Sequence, residues 1–465
     1  MPPRSLWLRE ALPGETGDSS PELLEPVSAD VCVVGGGYTG LWTALRVKEL
    51  EPAADVALVE SDICGGGPSG RNGGFALSWW PKIESLVKRV GEGEAFRLVR
   101  ASAEAVTELG EFCEREGVDA HFRQGGWLWT ATSPVQVGSW EGAVAAAERA
   151  GERPFELLAA DEVHRRTGSP VHLGAAFEAG AATVQPALLA RGLRRVALAR
   201  GIRIFERSPM VDLDRDAGVV HTPSGSVRAG AVVLATGAWL SAVRELTSAI
   251  VAVASDMIAT APMAERLEEA GWVGGESISN CRLMVHYYRT TADGRIAFGQ
   301  GGQRHVFGGR VDDEFLGETP PSTRASLERD LVRLVPYARG VGVTHAWAGP
   351  IDRTLDGLPF FGRLPGAARI VYGAGYSGNG VAPSLTAGKI LASSALGRDD
   401  EWSGCGLNRG APGTFPPEPF RYLGGFAVRA AVRRKESRED EGRSVDPLTR
   451  RLAALAPQGF FRVAR

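Results

Sequence analysis

The chain has few cysteines, and they form no pattern that holds a metal or a disulfide. The five cysteines lie at positions 32, 64, 113, 281 and 405, and no two of them form a C-x-x-C pair. Zinc sites of the usual kind need closely spaced pairs of ligands, and an odd, scattered set of cysteines is typical of reduced thiols. The sequence therefore predicts no metal centre, and we expect a cytoplasmic protein.

Long hydrophobic runs and an excess of one charge sign are also missing. No stretch of about twenty uninterrupted apolar residues is available to span a bilayer. The N-terminal residues lack the basic and apolar regions of a secretory signal. The net charge is −3, which gives no overall attraction for nucleic acid. We expect a soluble protein with no nucleic-acid partner and no membrane contact, and the sequence leaves its oligomeric state open.

The most informative stretch is VCVVGGGYTG, residues 31–40, in which an apolar strand runs into a G-x-G-x-x-G turn. Gly35 permits the tight turn, Gly37 lets a pyrophosphate approach the backbone, and Gly40 lets the next helix lie close to the strand. The helix that follows is expected over residues 41–47, and the free N–H groups at its start favour phosphate. The spacing predicts a strand, a turn and a phosphate-binding helix.

A second apolar strand, residues 56–59, ends in Glu60, twenty residues after Gly40. A carboxylate at this distance can accept hydrogen bonds from the ribose hydroxyls of an adenosine. The alternative is an ordinary glycine turn beside a surface glutamate. The complete strand–helix–strand context favours a dinucleotide-binding unit.

Three further stretches resemble backbone that approaches a ligand. Residues 64–75 (CGGGPSGRNGGF) are too rich in glycine to form a core element, so they either contact a flat or charged ligand or form a flexible surface loop. Residues 231–239 (AVVLATGAW) form a buried strand that ends in Thr-Gly. Residues 370–380 (IVYGAGYSGNG) repeat the order of strand and glycine turn, with a helix to follow.

Together these stretches resemble the FAD-dependent amine and amino-acid oxidases of the D-amino-acid oxidase, glycine oxidase and sarcosine oxidase superfamily. The motifs at 69–74 and 375–381 are most similar to the gamma-glutamylputrescine-oxidase-like branch. The resemblance covers roughly residues 30–396. It implies an α/β protein with a Rossmann-like FAD-binding domain and a second α+β substrate domain built on an antiparallel sheet.

The resemblance also implies domain limits and cofactor contacts. The FAD-binding domain is expected to be discontinuous (30–82, 184–250 and 341–398), with the substrate domain at 83–183 and 251–340. An irregular lead-in (1–29) and a C-terminal extension (399–465) are expected to flank them. The residues implied to hold FAD are Gly35, Gly37, Tyr38, Thr39, Gly40, Glu60, Ser69, Arg71, Asn72, Gly73, Gly74, Val211, Ala235, Thr236, Gly237, Gly375, Tyr376, Ser377, Gly378, Asn379, Gly380 and Val381.

Two positions depart from the family pattern. Sarcosine-type members attach the flavin to a cysteine near the region that corresponds to 347–349, and this chain has no cysteine between Cys281 and Cys405. We therefore expect non-covalent FAD. Glycine-oxidase-like members carry a carboxylate-binding arginine two residues after Trp-Ala-Gly. That position is Ile351 here, and Arg353 follows two residues later.

Candidates for substrate contacts lie on a predicted hairpin strand at 284–290. Alternation along a strand places His286 and Tyr288 on one face and Tyr287 and Arg289 on the other. We expect His286 and Tyr288 to face the pocket, with Arg353 as a competing candidate for binding an acidic group. The alternative is that these residues only pack, as we expect for Trp79 and Trp80.

The resemblance implies oxidation of an amine or amino-acid-like C–N bond to an imine, by hydride transfer to flavin N5 and reoxidation by O2 with release of H2O2. The alternatives are a dehydrogenase that passes electrons to a quinone or carrier, a flavin hydroxylase fed by NAD(P)H, and a non-catalytic FAD-binding protein. A second G-x-G-x-x-G unit for NAD(P)H is not evident in the sequence. The basic C-terminal tail is expected to present a solvated face, because acidic residues interrupt its charge.

Overall fold

The computed structural model describes residues 3–15, 20–305, 307–311 and 313–457. The strands are β1 (Pro26–Val34), β2 (Val56–Val59), β3 (Phe75–Ala76), β4 (Trp127–Thr130), β5 (Phe155–Ala159), β6 (Gly174–Glu178), β7 (Ala182–Thr183), β8 (Arg203–Phe205), β9 (Asp212–Asp214), β10 (Val219–His221), β11 (Ser226–Leu234), β12 (Val251–Thr260), β13 (Ser277–Asn280), β14 (His286–Thr290), β15 (Ile296–His305), β16 (Val343–Arg353), β17 (Phe360–Leu364) and β18 (Ala367–Ala374). The helices are α1 (Leu6–Ala11), α2 (Tyr38–Leu50), α3 (Ile83–Val90), α4 (Glu92–Arg115), α5 (Glu141–Arg149), α6 (Ala160–Thr167), α7 (Pro186–Ala199), α8 (Ala264–Glu269), α9 (Asp313–Leu316), α10 (Pro321–Leu334), α11 (Pro383–Ala395), α12 (Phe420–Asp440) and α13 (Pro447–Ala453).

The first sheet has the order β17-β18-β11-β1-β2-β8, with β9 and β10 attached beside β11. Strands β18, β11, β1, β2 and β8 run parallel, and β17 pairs antiparallel with β18. The last four residues of β1 are all buried, as expected for a central parallel strand covered on both faces. Helices α2, α7 and α11 cover one face. This is the predicted Rossmann-like unit.

The second sheet has the order β16-β12-β15-β14-β13-β4-β6-β5. All of its pairs are antiparallel except β13 with β4. One face packs on α10 and a buried cluster that contains Trp272, Tyr288 and Phe298. The mixed α/β class and the antiparallel second sheet are therefore confirmed. The two faces of this sheet have different roles: one face packs against the core cluster and α10, and the other lies on the side of the first sheet.

Two expected boundaries differ from the structure. Strand β16 belongs to the second sheet, where it pairs with β12 along its whole length, although the boundary at residue 341 assigned it to the FAD-binding part. The lead-in is also not irregular in its described residues: Leu6, Trp7 and Leu8 are buried in helix α1. Strand β1 already begins at Pro26 and pairs with β11 from that residue. Helix α1 packs against the rest of the protein because burial of its apolar side chains stabilises it, although the surrounding segment is rich in proline and glutamate.

The C-terminal extension includes the long helix α12, whose inner side docks on the turn between β13 and β14. The Glu436 carboxylate accepts hydrogen bonds from the backbone N–H groups of Leu283 (2.7 Å) and Met284 (3.2 Å). Arg282 forms ion pairs with Glu436 (3.2 Å) and Asp440 (2.9 Å). The opposite side of α12 is exposed. Within the residues that the structure describes, no helix is both long enough and apolar enough to cross a bilayer.

Candidate functional site

A cavity of about 860 Å³ lies between the carboxyl ends of the parallel strands and the free face of the antiparallel sheet. Strands β1, β11 and β18 end at Val34, Leu234 and Ala374, and the loops that follow them line one side. Ligands of open α/β sheets bind at this edge, because the strand ends and helix starts expose backbone N–H groups there. The four stretches that the sequence singled out, 31–40, 64–75, 231–239 and 370–380, are therefore brought together around one space.

The first glycine motif excludes side chains where the chain turns. Gly35 has φ of +111°, and a Cβ there would lie 2.6 Å from the Ala235 carbonyl oxygen. A Cβ on Gly40 would lie 1.9 Å from the Gly35 carbonyl oxygen, so Gly40 is needed for packing and does not line the cavity. Gly37 does line the cavity. Its surroundings would allow a Cβ, at 3.0 Å from Ser69 Oγ, so here the glycine matters for the space it leaves.

Glu60 lies at the expected place, directly after β2 and at the cavity wall. Its carboxylate accepts hydrogen bonds from Gly36 N (2.6 Å) and from Asp62 N (2.9 Å). Burial raises the pKa of Glu60, which these backbone N–H groups oppose. Beside it, Ser69 Oγ accepts a hydrogen bond from Tyr38 N at 2.9 Å. The first N–H of α2 is therefore already bonded to the next loop.

Side chains of the glycine-rich loop at 64–75 brace its backbone. The Arg71 guanidinium is 1% exposed and donates to the carbonyl oxygens of Gly66, Leu316, Ala348 and Pro3. Burial lowers the pKa of Arg71 to about 10. Asn72 bonds within the loop, where its Oδ1 accepts from Gly74 N at 2.7 Å. Arg71, Asn72 and Gly73 all line the cavity as expected, whereas Gly74 packs against Val184 outside it.

The second glycine loop, residues 375–381, is fastened by Asp352 of β16. The Asp352 carboxylate accepts a hydrogen bond from Gly375 N at 2.6 Å, and burial raises its pKa to about 6. Lys82 Nζ donates to the Tyr376 carbonyl oxygen at 3.2 Å. Burial lowers the pKa of Lys82 to about 7. Gly375 and Asn379 lie outside the cavity lining, while the residues of this loop that do line the cavity are Tyr376, Ser377, Gly378, Gly380 and Val381.

The remaining predicted cofactor residues lie along the cavity between these loops. Ala235, Thr236 and Gly237 follow β11 and line it. Val211 also lines it, with its backbone N–H bonded to the His221 carbonyl oxygen at 2.8 Å. Thr39 lines it too. Its hydroxyl lies 2.6 Å from the Tyr376 hydroxyl, and this contact links the first glycine motif to the loop at 375–381.

The antiparallel sheet supplies side chains to the opposite wall. Tyr287 of β14 lies with its hydroxyl 2.7 Å from Ser255 Oγ of β12. Its ring lies over Gly299, where a Cβ would be 2.3 Å from the ring. Phe75 meets the same ring edge-to-face at 5.8 Å. Burial raises the pKa of Tyr287, so the hydroxyl stays protonated and can donate a hydrogen bond into the cavity.

Arg353 of β16 brings a guanidinium to this wall. The residue is 7% exposed, and within the described part of the chain its buried Nε has no hydrogen-bond partner. Nη2 lies near β15, where a Cβ on Gly301 would be 3.7 Å away. Burial lowers the pKa of Arg353 to about 10, so it remains charged at neutral pH. A buried cation that faces a cavity favours an anionic ligand.

His286 and Tyr288, expected to face the pocket, lie on the other face of β14. His286 Nε2 is 3.2 Å from Asp330 Oδ2, and Asn280 holds the other ring nitrogen at 3.0 Å. Burial lowers the pKa of His286. The Tyr288 hydroxyl is 3.0 Å from His172 Nε2 inside the core. The strand alternates as predicted, but the phase is reversed: the small residues Gly299 and Gly301 of β15 leave the cavity on the side of Tyr287.

Arg289 lies on the same face of β14 as Tyr287, but its guanidinium holds the backbone of the loop at 64–75 in place. It donates to the carbonyl oxygens of Gly73 (2.7 Å) and Val184 (2.6 Å). Trp79 and Trp80 lie in the main core, as expected. Sequence reasoning did not identify Ser255, Asp352 or Lys82. Their signals are weak, since each lies in or beside a hydrophobic stretch and none belongs to a motif.

The residues fit FAD, as the resemblance implied. The cavity runs from Glu60, through the glycine loops, to the wall formed by Tyr287 and Arg353. A Cβ at Gly37, which lines the cavity, would lie 3.0 Å from Ser69 Oγ, so glycine keeps this part of the lining open, as close contact with a pyrophosphate requires. The five cysteines are buried, and none of them is among the residues that line the cavity.

Comparisons with known proteins agree with this geometry. The family described as DAO, FAD dependent oxidoreductase, matches residues 30–394. The chain is 32% identical to gamma-glutamylputrescine oxidoreductase of Escherichia coli over 374 residues, covering 80% of this chain and 84% of that protein. It is 29% identical to a probable oxidoreductase OrdL of Haemophilus influenzae, covering 82% and 86%. Glycine oxidase of Geobacillus kaustophilus superposes with a TM-score of 0.65 at 21% identity, covering 82% and 99%.

Proposed function

Because this chain belongs to the DAO family of FAD-dependent oxidoreductases, we propose that it oxidises the C–N bond of an amine that also carries an acidic group. The enzyme class, the FAD cofactor and an amine or amino-acid-like substrate follow from the family and its relatives. The acidic group is the finer part of the proposal. It is carried by one observation, the buried Arg353 guanidinium at the cavity wall.

The reaction converts an amine to an imine, which water then hydrolyses to a carbonyl compound and ammonia, or an amine where the substrate nitrogen carries a second carbon. The FAD held by the glycine loops would supply the acceptor for the hydride from the substrate carbon, and O2 would take the two electrons to give H2O2. The protein needs to hold the reacting carbon in line and to keep the amine neutral, because only the neutral nitrogen can supply its electron pair. Apolar wall residues such as Val285 and Ile351 favour the neutral amine.

Each wall residue then has a specific role. Arg353 binds the acidic group and fixes one end of the substrate by a charge-assisted hydrogen bond. The Tyr287 hydroxyl, held by Ser255, bonds the polar part of the substrate nearest β14. Asp352 has an indirect role: its carboxylate holds the Gly375 N–H and so fixes the loop at 375–381, which lines the cofactor side of the cavity. His286 and Tyr288 support β14 from behind, as positioning residues. FAD is proposed to be non-covalent.

Anaerobic mixing of the holoprotein with a panel of amines tests the proposal. The panel contains matched pairs with and without a carboxylate, together with NADH and NADPH. We expect bleaching of the flavin by amines that carry a carboxylate, followed by H2O2 when O2 is admitted. Bleaching by NAD(P)H alone would identify a hydroxylase. Reduction by amine without peroxide formation would identify a dehydrogenase, and no reduction by any of these compounds would contradict amine oxidation.

A further inference from the structure

Four consecutive carbonyl groups of the glycine-rich loop are each held by a side chain from elsewhere in the chain. The donors and their acceptors are Ser5 Oγ to Gly70 O (2.5 Å), Trp347 Nε1 to Arg71 O (2.8 Å), Trp7 Nε1 to Asn72 O (2.9 Å) and Arg289 Nε to Gly73 O (2.7 Å). Glycine-rich backbone is intrinsically free to rotate. Four separate donors remove that freedom over the segment that lines the cofactor cavity.

Two of these donors come from the N-terminal segment at 3–15, which lies outside the residues that match the family. Ser5 is fully buried and Trp7 is 1% exposed. Arg71 also donates to the Pro3 carbonyl oxygen at 2.9 Å, and Arg4 Nη2 donates to Asp62 Oδ1 at 2.8 Å. The segment therefore both donates hydrogen bonds to the loop, from Ser5 and Trp7, and accepts one from it, at Pro3.

The direction of the Trp7 hydrogen bond has a consequence for the cavity. In a trans peptide group the C=O and the following N–H point in opposite directions. The Asn72 carbonyl points to the Trp7 indole, which is not part of the cavity lining. The N–H of Gly73 in the same peptide group therefore points away from the Trp7 indole, and Gly73 is among the residues that line the cavity. The indole N–H thus fixes the orientation of the Asn72–Gly73 peptide group at the cavity lining.

We infer that residues 3–15 are a working part of the FAD site, in which Trp7 is a positioning residue that orients the Asn72–Gly73 peptide toward the cofactor. Neighbouring groups hold the indole itself in place. The Trp7 ring meets the Trp347 ring edge-to-face at 5.7 Å, and the Arg289 guanidinium lies 5.0 Å from the centre of the Trp7 ring. Three of the four donors thus touch one another and act as one support.

The test compares two tryptophan-to-phenylalanine variants of the holoprotein. Trp7→Phe keeps an aromatic ring in place but removes the N–H that holds the Asn72 carbonyl. Trp272→Phe is the matched control, because Trp272 is also 2% exposed or less and donates Nε1 to a backbone carbonyl, that of Glu276, at 3.2 Å. Trp272 lies in the core behind the antiparallel sheet and does not line the cavity.

The readouts are the rate of FAD release after dilution, followed by flavin fluorescence, and the visible spectrum of the bound flavin. We expect Trp7→Phe to speed FAD release roughly 3- to 10-fold and to shift the spectrum, as the loss of one hydrogen bond would. Trp272→Phe is expected to change thermal stability but neither readout. Neither measurement depends on the identity of the substrate.

Ser5→Ala provides a second variant if Trp7→Phe does not accumulate as folded protein. It removes the hydroxyl that donates to the Gly70 carbonyl and that also accepts a hydrogen bond from Leu8 N at the start of α1, so both changes loosen residues 3–15 and should speed FAD release. Wild-type release and spectra in both Trp7→Phe and Ser5→Ala would overturn the inference. Equal acceleration by Trp272→Phe would do so as well, because the effect would then report general destabilisation.

Discussion

The two sheets contribute to one cavity in different ways. The parallel sheet offers backbone, through Gly35, Gly37 and the loop at 375–381, and its side chains mostly brace that backbone. The antiparallel sheet offers side chains, above all Tyr287 and Arg353. Bare backbone can hold a cofactor that never changes but cannot distinguish one amine from another. Side chains that project from regular strands can vary without disturbing the fold, so we expect the side chains of the antiparallel sheet to select the substrate.

The largest expected effect is on the part of the cavity formed by Gly35, Gly37 and the loop at 375–381, which we call the backbone wall. Gly37→Val adds a side chain to the cavity lining beside Ser69, where we expect the pyrophosphate to lie, and we expect FAD affinity to fall by about 100-fold or more. Gly93→Val is the control, because nothing lies within 4 Å of a Cβ at Gly93 in the exposed part of α4. Flavin content after purification measures both. Full flavin occupancy in Gly37→Val would contradict this account of the backbone wall.

The next largest effect is expected on the part of the cavity formed by Tyr287 and Arg353, which we call the side-chain wall. Arg353→Leu should lower kcat/KM for a substrate with a carboxylate by roughly 30- to 1000-fold, because the substrate anion would lose its partner in a buried site. The matched amine without a carboxylate should change by about 3-fold or less. The variant should also unfold at a higher temperature, since it removes an uncompensated buried charge. Equal losses for both substrates would show that Arg353 does not bind the acidic group.

A smaller effect distinguishes the two faces of β14. Tyr287→Phe removes a hydroxyl at the cavity, and we expect kcat/KM to fall about 10-fold with FAD content unchanged. Tyr288→Phe removes a hydroxyl in the core and should cost about 1 kcal/mol of stability while kcat/KM stays within about 2-fold of wild type. Steady-state kinetics of the pair measures this. The reverse pattern would mean that the face behind the sheet reaches the substrate.

The smallest effect on activity is expected at Glu178 of β6, behind the cavity. Ser78 Oγ donates to its Oε1, and burial raises the pKa of Glu178 to about 7. An acid with a raised folded-state pKa contributes stability that is complete below about pH 4.5 and is lost as the pH rises to about 7. Denaturant unfolding across this range should show a decline in stability that is about 3 kcal/mol smaller in Glu178→Gln than in wild type, because other buried acids such as Asp352 contribute to the decline in both proteins. FAD binding should be equal in both proteins.

The sequence predicted most of the backbone wall because its signals are local. Gly35, Gly37, Gly40 and Glu60 follow from spacing along one strand–helix–strand unit, which the structure reproduces. The side-chain wall depends on the phase of β14, and a period of two defines two faces without stating which one is buried. The pairing of Tyr287 with Gly299 would have decided the phase, but this register joins residues on different strands.

The N-terminal segment shows a different limit. Trp7 has no motif around it, and a proline- and glutamate-rich lead-in gives no periodic signal from which to place it. Its contacts are to residues more than sixty positions away. Arg71 is a related case, because it lines the cavity while its guanidinium donates to four carbonyl groups, and the sequence did not predict those four hydrogen bonds. Long-range hydrogen bonds of this kind are decided by the fold.

Titration of the holoprotein with a small carboxylate tests the central claim most directly, because it requires no turnover. Propionate is added while the visible spectrum of the flavin is recorded, with propionamide as the uncharged control. We predict a saturable spectral change with propionate alone, weakened about 10-fold or more in Arg353→Leu. An identical response of wild type and Arg353→Leu, or no response to propionate, would contradict an anion site at the side-chain wall beside the flavin.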